Sequence, residues 1–509
     1  MKPASARVAF CRGDGYSALQ MKAVTTEQIR ALDRRTIESG TPGFVLMDRA
    51  GLAVARCAAK LGRRVLLMAG KGNNGGDAIV AARYLVRFGC EPTLALLCRR
   101  EELSGDPLAH FQQLGEVPVL ENPALDTLTA LSPEVVVDGL LGTGLTGRVR
   151  EPYASAIGFI NSHRANGAKV VAIDVPSGLD SDTGEAHGIC VRADVTVTMG
   201  LPKIGLLRPT AIDWVGRVEV ADIGFPPAFV GEIYSDVELI TAEEIRSLLP
   251  PRRRSTHKGN YGHLLIIAGS EGYTGAPVLT AHAAARAGAG LVTLGVPREV
   301  YPIVAANVPP EVMPRPLEQI SALSDYDVVA LGPGMGQGSA TPPQAPDIIC
   351  NCPRPMVVDA DGLNAVARDV SVLKAAKAPL ILTPHPGEMA RLCGCTAMDV
   401  QARRWEIARE FAREHGVTVV LKGAGTVVAD PSGRLWVNLT GNPGMAKGGV
   451  GDALTGIIGA LLAQGLCALD AARAGVFWHG AAGDVAAGRY GERSMLASDL
   501  IACLGAVFN

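Results

Sequence analysis

Val65-Leu-Leu-Met68-Ala-Gly70-Lys-Gly72-Asn-Asn-Gly75-Gly-Asp77 runs from an unbroken apolar stretch through a glycine-rich turn into the helical segment 78–88. Consecutive apolar residues with nothing polar between them suit a strand buried on both faces, the habit of parallel sheets covered by helices. The same rhythm recurs outward from this stretch. Upstream, a capped amphipathic helix begins just after Met21; downstream, β-rich runs at 93–97, 134–138, 169–174 and 194–199 alternate with helices, and 218–225 closes the series. The rhythm breaks at Pro226-Pro227 and again at Pro250-Pro251, and a new cycle opens with His263-Leu-Leu-Ile-Ile-Ala-Gly269. It continues through 291–296, 328–331, 356–359, 380–383 and 418–422. Alternation of this kind predicts two different α/β units. The expected boundaries are a loose extension over 1–20, a doubly wound sheet over 21–235 and a second α/β unit over 236–509.

Composition narrows the function classes. Hydrophobic residues make up 48% and charged residues 19% of the 509, which excludes a disordered chain. With 48 basic and 50 acidic residues, the net charge of -2 removes any general drive toward nucleic acid or an anionic membrane. The longest apolar stretches, such as 453–463, fall short of the roughly 18 residues of a membrane span, and the N-terminus has no apolar secretory region. Eleven cysteines, an odd number, read as reduced thiols of a cytoplasmic protein, and the pairs Cys350/Cys352 and Cys393/Cys395 are poor zinc spacings. A homo-oligomer acting on small molecules, with neither nucleic acid nor membrane as partner, is expected.

The turn at 70–77 matches G-x-G-x-x-G, whose glycines let backbone amides approach a pyrophosphate at a helix start. An ordinary NAD fingerprint also wants an acid about 20 residues on, where the chain has Cys98-Arg-Arg100. Phosphate binding therefore stands without the ribose contact; the alternative is a tight turn capped by Asp77. Two further loops follow strands: Asp138-Gly-Leu-Leu-Gly142-Thr-Gly-Leu-Thr-Gly147-Arg148 and Asp174-Val-Pro-Ser177-Gly. The former is not a P-loop, because Arg148-Val149 stands where Lys-Ser/Thr is needed. Carboxylates at two strand ends suit acid/base work or cation binding, and either could instead cap a turn.

This set of loops resembles the NAD(P)H-hydrate epimerase domain, a Rossmann-like module that interconverts the R and S forms of NADH or NADPH hydrated at nicotinamide C6. The resemblance implies a hydrate site on Asn73, Asn74, Gly75, Gly76, Asp77, Gly142, Thr143, Gly144, Leu145, Thr146, Gly147, Arg148, Tyr153 and Asp174. It further implies a potassium ion held by Asn74, Asp138 and Ser177, whose oxygen atoms suit a hard cation. C6 bears both the ring nitrogen and a hydroxyl, so the lone pair can help expel the oxygen once an acid protonates it. Asp174 is the candidate acid/base.

In the second half, Gly441-Asn-Pro-Gly444-Met-Ala-Lys447-Gly448-Gly449-Val-Gly451-Asp452 precedes an apolar helix. Free amides at the positive end of a helix stabilise phosphate charge, and Asp452 stands where it can take a hydroxyl proton. The arrangement resembles ribokinase-like phosphotransferases; the alternative is a glycine turn with an Asp N-cap. Lys258-Gly-Asn-Tyr-Gly262, Gly269-Ser-Glu-Gly-Tyr-Thr-Gly275-Ala276-Pro277, Gly332-Pro-Gly334-Met-Gly336, Asp359-Ala-Asp361-Gly-Leu-Asn364, Thr383-Pro-His385-Pro-Gly387-Glu388 and Lys422-Gly-Ala-Gly-Thr426 resemble the NAD(P)H-hydrate dehydratase domain. That implies hydrate contacts at Ala276, Gly336 (with Gly334 as the other alignment), His385 and Asp452. Nucleotide contacts are implied at Lys422, Gly423, Ala424, Gly425, Thr426 and Gly451, with ADP as phosphoryl donor and AMP, phosphate and NAD(P)H as products. The residues themselves do not decide between ADP and ATP. Glu388 is the candidate to hold Mg2+ through water. Lys447 and Val450 depart from the small or hydroxyl residues expected in relatives. The Arg252-Arg-Arg254 run is either a solvated linker face or a phosphate contact. The competing reading is a small-alcohol kinase fused to a non-catalytic nucleotide-binding or oligomerisation module, against which the 383–388 and 422–426 segments stand.

Overall fold

The computed structural model describes residues 21–249, 251–336 and 345–508, so the expected extension over 1–20 lies outside the described residues. The chain separates into two compact units that part between Ser235 and Asp236.

In the N-terminal unit, strands β1 (Arg64–Ala69), β2 (Glu91–Leu96), β3 (Val119–Glu121), β4 (Val135–Gly139), β5 (Lys169–Ile173), β6 (Val195–Met199) and β7 (Arg217–Ala221) form a 7-stranded sheet. The order is β3-β2-β1-β4-β5-β6-β7 and every pairing is parallel. Val65 to Met68 are all buried, as a strand covered on both faces requires. The chain leaves β1 toward β2 and β3, then returns to β4 on the other side, so β1 and β4 flank the switch point where doubly wound sheets bind ligands. β3 was not anticipated from the sequence, because it is a half-buried edge strand without a hydrophobic signature.

The C-terminal unit contains β8 (Val237–Leu239), β9 (His263–Ile267), β10 (Leu291–Val296), β11 (Val312–Pro316), β12 (Val328–Leu331), β13 (Met356–Val358), β14 (Leu380–Leu382), β15 (Thr418–Leu421), β16 (Thr426–Ala429) and β17 (Leu435–Asn438). They pair in the order β8-β17-β16-β15-β14-β13-β12-β9-β10-β11; β16 is antiparallel to both neighbours and the other pairs are parallel. The helix Val450–Ala463 crosses this sheet nearly fully buried, packed between Gly275–Arg286 and Ala468–Tyr490. Its apolar composition on every side follows from that position. Among the described residues, no helix is long and apolar enough to cross a membrane and the cysteines are free.

Two helix starts differ from the sequence expectation. The helix after β1 runs Asn73–Arg87 with Gly72 at its N-cap, so Asp77 lies inside it and caps nothing. The later helix begins at Val450 behind Gly449, which puts Asp452 at its third position, not at the N-cap. Gly449 takes φ +87°, a conformation open to glycine, and this turns its neighbours into the helix early.

Candidate functional site

In the N-terminal unit the loops after β1, β4 and β5 converge at the switch point. Gly75 packs so tightly under the first loop that a Cβ there would lie 1.8 Å from the Gly70 carbonyl oxygen. No side chain caps Asn73–Arg87, which leaves the first amides of a 15-residue helix for an anion. Asn74 donates from Nδ2 to the carbonyls of Leu141 and Ile173, both at 2.9 Å. Its Oδ1 faces Gly142, where a Cβ would come within 2.8 Å. The fully buried Asp138 accepts from the Ser177 amide at 2.8 Å and its hydroxyl at 2.6 Å, and Ser177 Oγ accepts from the Leu141 amide at 2.8 Å. Asn74, Asp138 and Ser177 thus meet around Leu141. Burial pushes Asp138 up to about 6, against the hydrogen bonds from Ser177 and Leu140.

The loop 142–148 borders this cluster. Leu145 closes a turn onto the Gly142 carbonyl, Thr146 and Gly147 are exposed, and Arg148 lies against Gly188. Thr143 accepts from Arg30 at 2.9 Å, a cation the sequence reading did not single out. Tyr153 opens the helix Tyr153–Ala165 with its hydroxyl over Gly70; burial pushes that hydroxyl up, and Cys98 and Glu102 add to it. Asp174 sits just past β5 with φ +62°, rare for a residue bearing a Cβ. Its Oδ1 accepts from Lys203 Nζ, the Met199 amide at 3.0 Å and Thr198 Oγ1 at 3.2 Å. Lys203 and the nearby Asp33 were also missed, since each is a single charge on a distant segment that only the fold brings in.

In the C-terminal unit the corresponding loops follow β9, β12, β13, β14 and β15, again at one edge of the sheet. Lys422 Nζ donates to Asp359 Oδ1 at 2.7 Å and lies 3.9 Å from Glu388, and a Cβ on Gly451 would come within 3.3 Å of it. Thr455 donates to the other Asp359 oxygen at 2.7 Å. Burial pushes Asp452 up to about 6, with Asp359 raising it further and Lys422 opposing. Burial works to lower the Lys422 ammonium, but Asp359 and Glu388 outweigh it and hold the group up. His385 N-caps the helix Pro386–Cys393, accepting from the Gly387 amide at 3.0 Å while its own amide donates to Glu388 at 2.8 Å. Burial and the Lys422 charge lower the His385 imidazole.

Gly336 donates its amide to Asp361 at 2.9 Å, whereas a Cβ on Gly334 would stand 3.0 Å from the Ala276 Cβ. Both glycines adjoin Ser270, whose hydroxyl donates to the Gly334 carbonyl at 2.9 Å. The loop of Gly423, Ala424 and Gly425 curves above β15 before Thr426 donates back to the Gly423 carbonyl at 2.8 Å. Buried Arg404 braces its start through the Leu421 and Lys422 carbonyls. Asp484 fixes the 441–444 turn by accepting from the Gly441 amide and Asn442 at 3.0 and 2.9 Å. Lys447 donates to the carbonyls of Arg493 and Met495, and Arg252 stacks over Tyr261 and donates to the Gly288 carbonyl. Both cations have structural partners. Among the described residues no three His, Cys, Asp or Glu side chains converge on a metal position.

A doubly wound unit with an anion-ready helix start, and a second α/β unit with a carboxylate at a glycine-opened helix, define a two-module α/β enzyme with a candidate ligand site in each module. The family of NAD(P)H-hydrate dehydratases matches residues 264–505, and the YjeF-related protein N-terminus matches residues 43–205. The bifunctional NAD(P)H-hydrate repair enzyme of Moorella thermoacetica is 43% identical over 94% of this chain and 95% of its own length. That of Escherichia coli is 40% identical over 92% and 90%. A solved structure, the ADP/ATP-dependent NAD(P)H-hydrate dehydratase from Bacillus subtilis co-crystallised with ATP and Mg2+, is 34% identical, covering 53% of this chain and 97% of its own with a TM-score of 0.48. The chain belongs to the bifunctional NAD(P)H-hydrate repair enzymes.

Proposed function

We propose that this protein repairs hydrated NADH and NADPH: the N-terminal unit interconverts the R and S hydrates at C6, and the C-terminal unit dehydrates the S form at the expense of ADP. The observation that carries the reading is the cluster of buried Asp359 and Glu388 with half-buried Lys422 and Asp452 at the uncapped start of Val450–Ala463, in a chain of this family. Asp452 takes the proton of the C6 hydroxyl as its oxygen attacks the terminal phosphorus of ADP, and AMP leaves. The amides at the helix start meet the charge on the transferred phosphoryl group. The phosphate ester then breaks at C6 with the ring nitrogen's lone pair, C5 loses a proton, and the reduced nicotinamide is restored.

In the N-terminal unit Asp174 protonates the departing C6 oxygen and takes a proton back as water adds to the opposite face. Asn74, Asp138 and Ser177 offer oxygen donors of the kind K+ takes and would hold that ion, which would neutralise charge beside the hydrate. Glu388, a nearly buried carboxylate beside Lys422, fits Mg2+ held through water and would support charge neutralisation on the nucleotide phosphates.

The test is incubation of the protein with each purified NADPH-hydrate epimer and ADP, following absorbance of the reduced nicotinamide. Recovery from both epimers is expected; failure on either removes the repair assignment, and a response to ATP alone changes only the donor.

A further inference from the structure

Lys203 follows β6 on a segment that runs beside Val24: the Val24 amide donates to the Pro202 carbonyl and the Ile204 amide to the Val24 carbonyl. This pairing fixes the start of the helix Thr26–Glu38, which carries Asp33, at the same corner as Lys203. The lysine is 1% exposed, yet its ammonium does not leave the site region: it donates to the Met199 carbonyl at 3.1 Å, to Thr198 Oγ1 at 3.3 Å and to Asp174 Oδ1. Thr198 and the Met199 amide donate to that same oxygen. One carboxylate oxygen of Asp174 is therefore anchored by three donors, and Oδ2 accepts nothing among the described residues. A left-handed backbone at a non-glycine residue persists only where its surroundings over-determine it, and three donors on one oxygen do so.

Two more carboxyl groups sense the same ammonium. Asp77 from Asn73–Arg87 is 8% exposed and its carboxyl has no hydrogen-bond partner among the described residues. Burial pushes it well above the ordinary carboxylate range, with Asp174 and Asp33 adding and Lys203 opposing. Asp33 is pushed up to about 6 by burial, again with Lys203 opposing.

Resting on the epimerase reading above, we propose that Lys203 is a positioning residue for epimerisation: it holds Asp174 with Oδ2 toward C6 and meets the negative charge left there when the proton departs. In that step the Asp174 proton passes to the C6 oxygen, the C6–O bond breaks, the nitrogen lone pair forms the C6=N bond, and water leaves. On return, a water oxygen bonds to C6 from the other face, the C=N pair goes back to nitrogen, and the carboxylate takes the water's proton. Lys203 touches neither the hydrate nor the transferred proton; it acts through Asp174.

The full-length protein without nucleotide, mixed with one purified hydrate epimer, isolates this activity from dehydration. Wild-type protein that leaves exchange at the uncatalysed rate overturns the epimerase reading and the Lys203 assignment with it. With an active wild type, Lys203→Met is expected to lower kcat about 10²-fold while KM stays within about threefold, the mark of a group needed only as the proton moves. Lys203→Arg, which keeps the charge, is expected to recover part of kcat. If the Met variant does not fold, Lys203→Gln, which retains a hydrogen bond to the Met199 carbonyl, is read by the same split. A folded Met or Gln variant with wild-type kcat, or with only KM raised, overturns the assignment and leaves the epimerase reading standing.

Discussion

Asp452 must be ionised to accept the C6 hydroxyl proton, and its surroundings oppose ionisation: burial and Asp359 raise it to about 6, only partly offset by Lys422. The base form is lost as pH falls through that value, so ADP-dependent dehydration is expected to decline below about pH 6 with a single acid limb. A pH–rate profile still flat at pH 5 would remove Asp452 as the base. The Asp359–Lys422 pair has a different consequence. Asp359 is 1% exposed and is satisfied by Lys422 on one oxygen and Thr455 on the other. Removing one partner of a buried pair strands the other, so Asp359→Ala is expected to destabilise the C-terminal unit by about 3 kcal/mol in denaturant titration. The candidates Asp174 and Asp452 stood out in the sequence because each borders a glycine-marked loop, Asp174 opening one and Asp452 closing one. Lys203, Asp33 and Arg30 were not, because no local pattern distinguishes a lone charge that meets its partners through the fold. The resemblance implied a nucleotide contact at Lys422, and the fold adds the ion pair of its ammonium with Asp359, which the sequence does not announce.

At the level of elements, the helix Asn73–Arg87 depends on a backbone approach that only glycine permits. A Cβ on Gly75 would meet the Gly70 carbonyl oxygen, which belongs to backbone and cannot swing aside. Gly75→Ala is therefore expected to cost about 1 to 3 kcal/mol and to weaken hydrate binding to the N-terminal unit, measured by thermal unfolding and by titration. Unchanged stability and binding would mean that the turn is slack. Central strands announced themselves through continuous Val, Leu and Ile runs. The missed strands are peripheral or irregular: β3 is half-buried at an edge, and β11 carries Pro314 and Pro316, tolerated because it too is an edge strand. β16 and β17 form a hairpin about Asp430, whose side chain accepts from the Ser432 and Arg434 amides, a turn that hydrophobic periodicity does not register. The helix starts at Asn73 and Val450 were misplaced for one reason: glycines read as loop were already helical.

Across the whole molecule, the division at Ser235/Asp236 separates the two carboxylates on which the account rests: Asp174 belongs to one unit and Asp452 to the other. Each sits at the carboxyl edge of its own sheet with its own lysine, buried Lys203 beside Asp174 and half-buried Lys422 near Asp452. The pairing of one epimer-exchanging and one epimer-consuming site explains why a single chain would serve both forms of the damaged cofactor. The two units are expected to act as independent catalysts. Asp174→Asn and Asp452→Asn, each shown folded, are to be assayed for both activities on separated epimers. Asp452→Asn is expected to lose about 10² to 10⁴ in dehydration rate while epimer exchange persists. Asp174→Asn is expected to lose exchange while dehydrating the S form normally. Equal loss of both activities in either folded variant would contradict the account and point to one shared site.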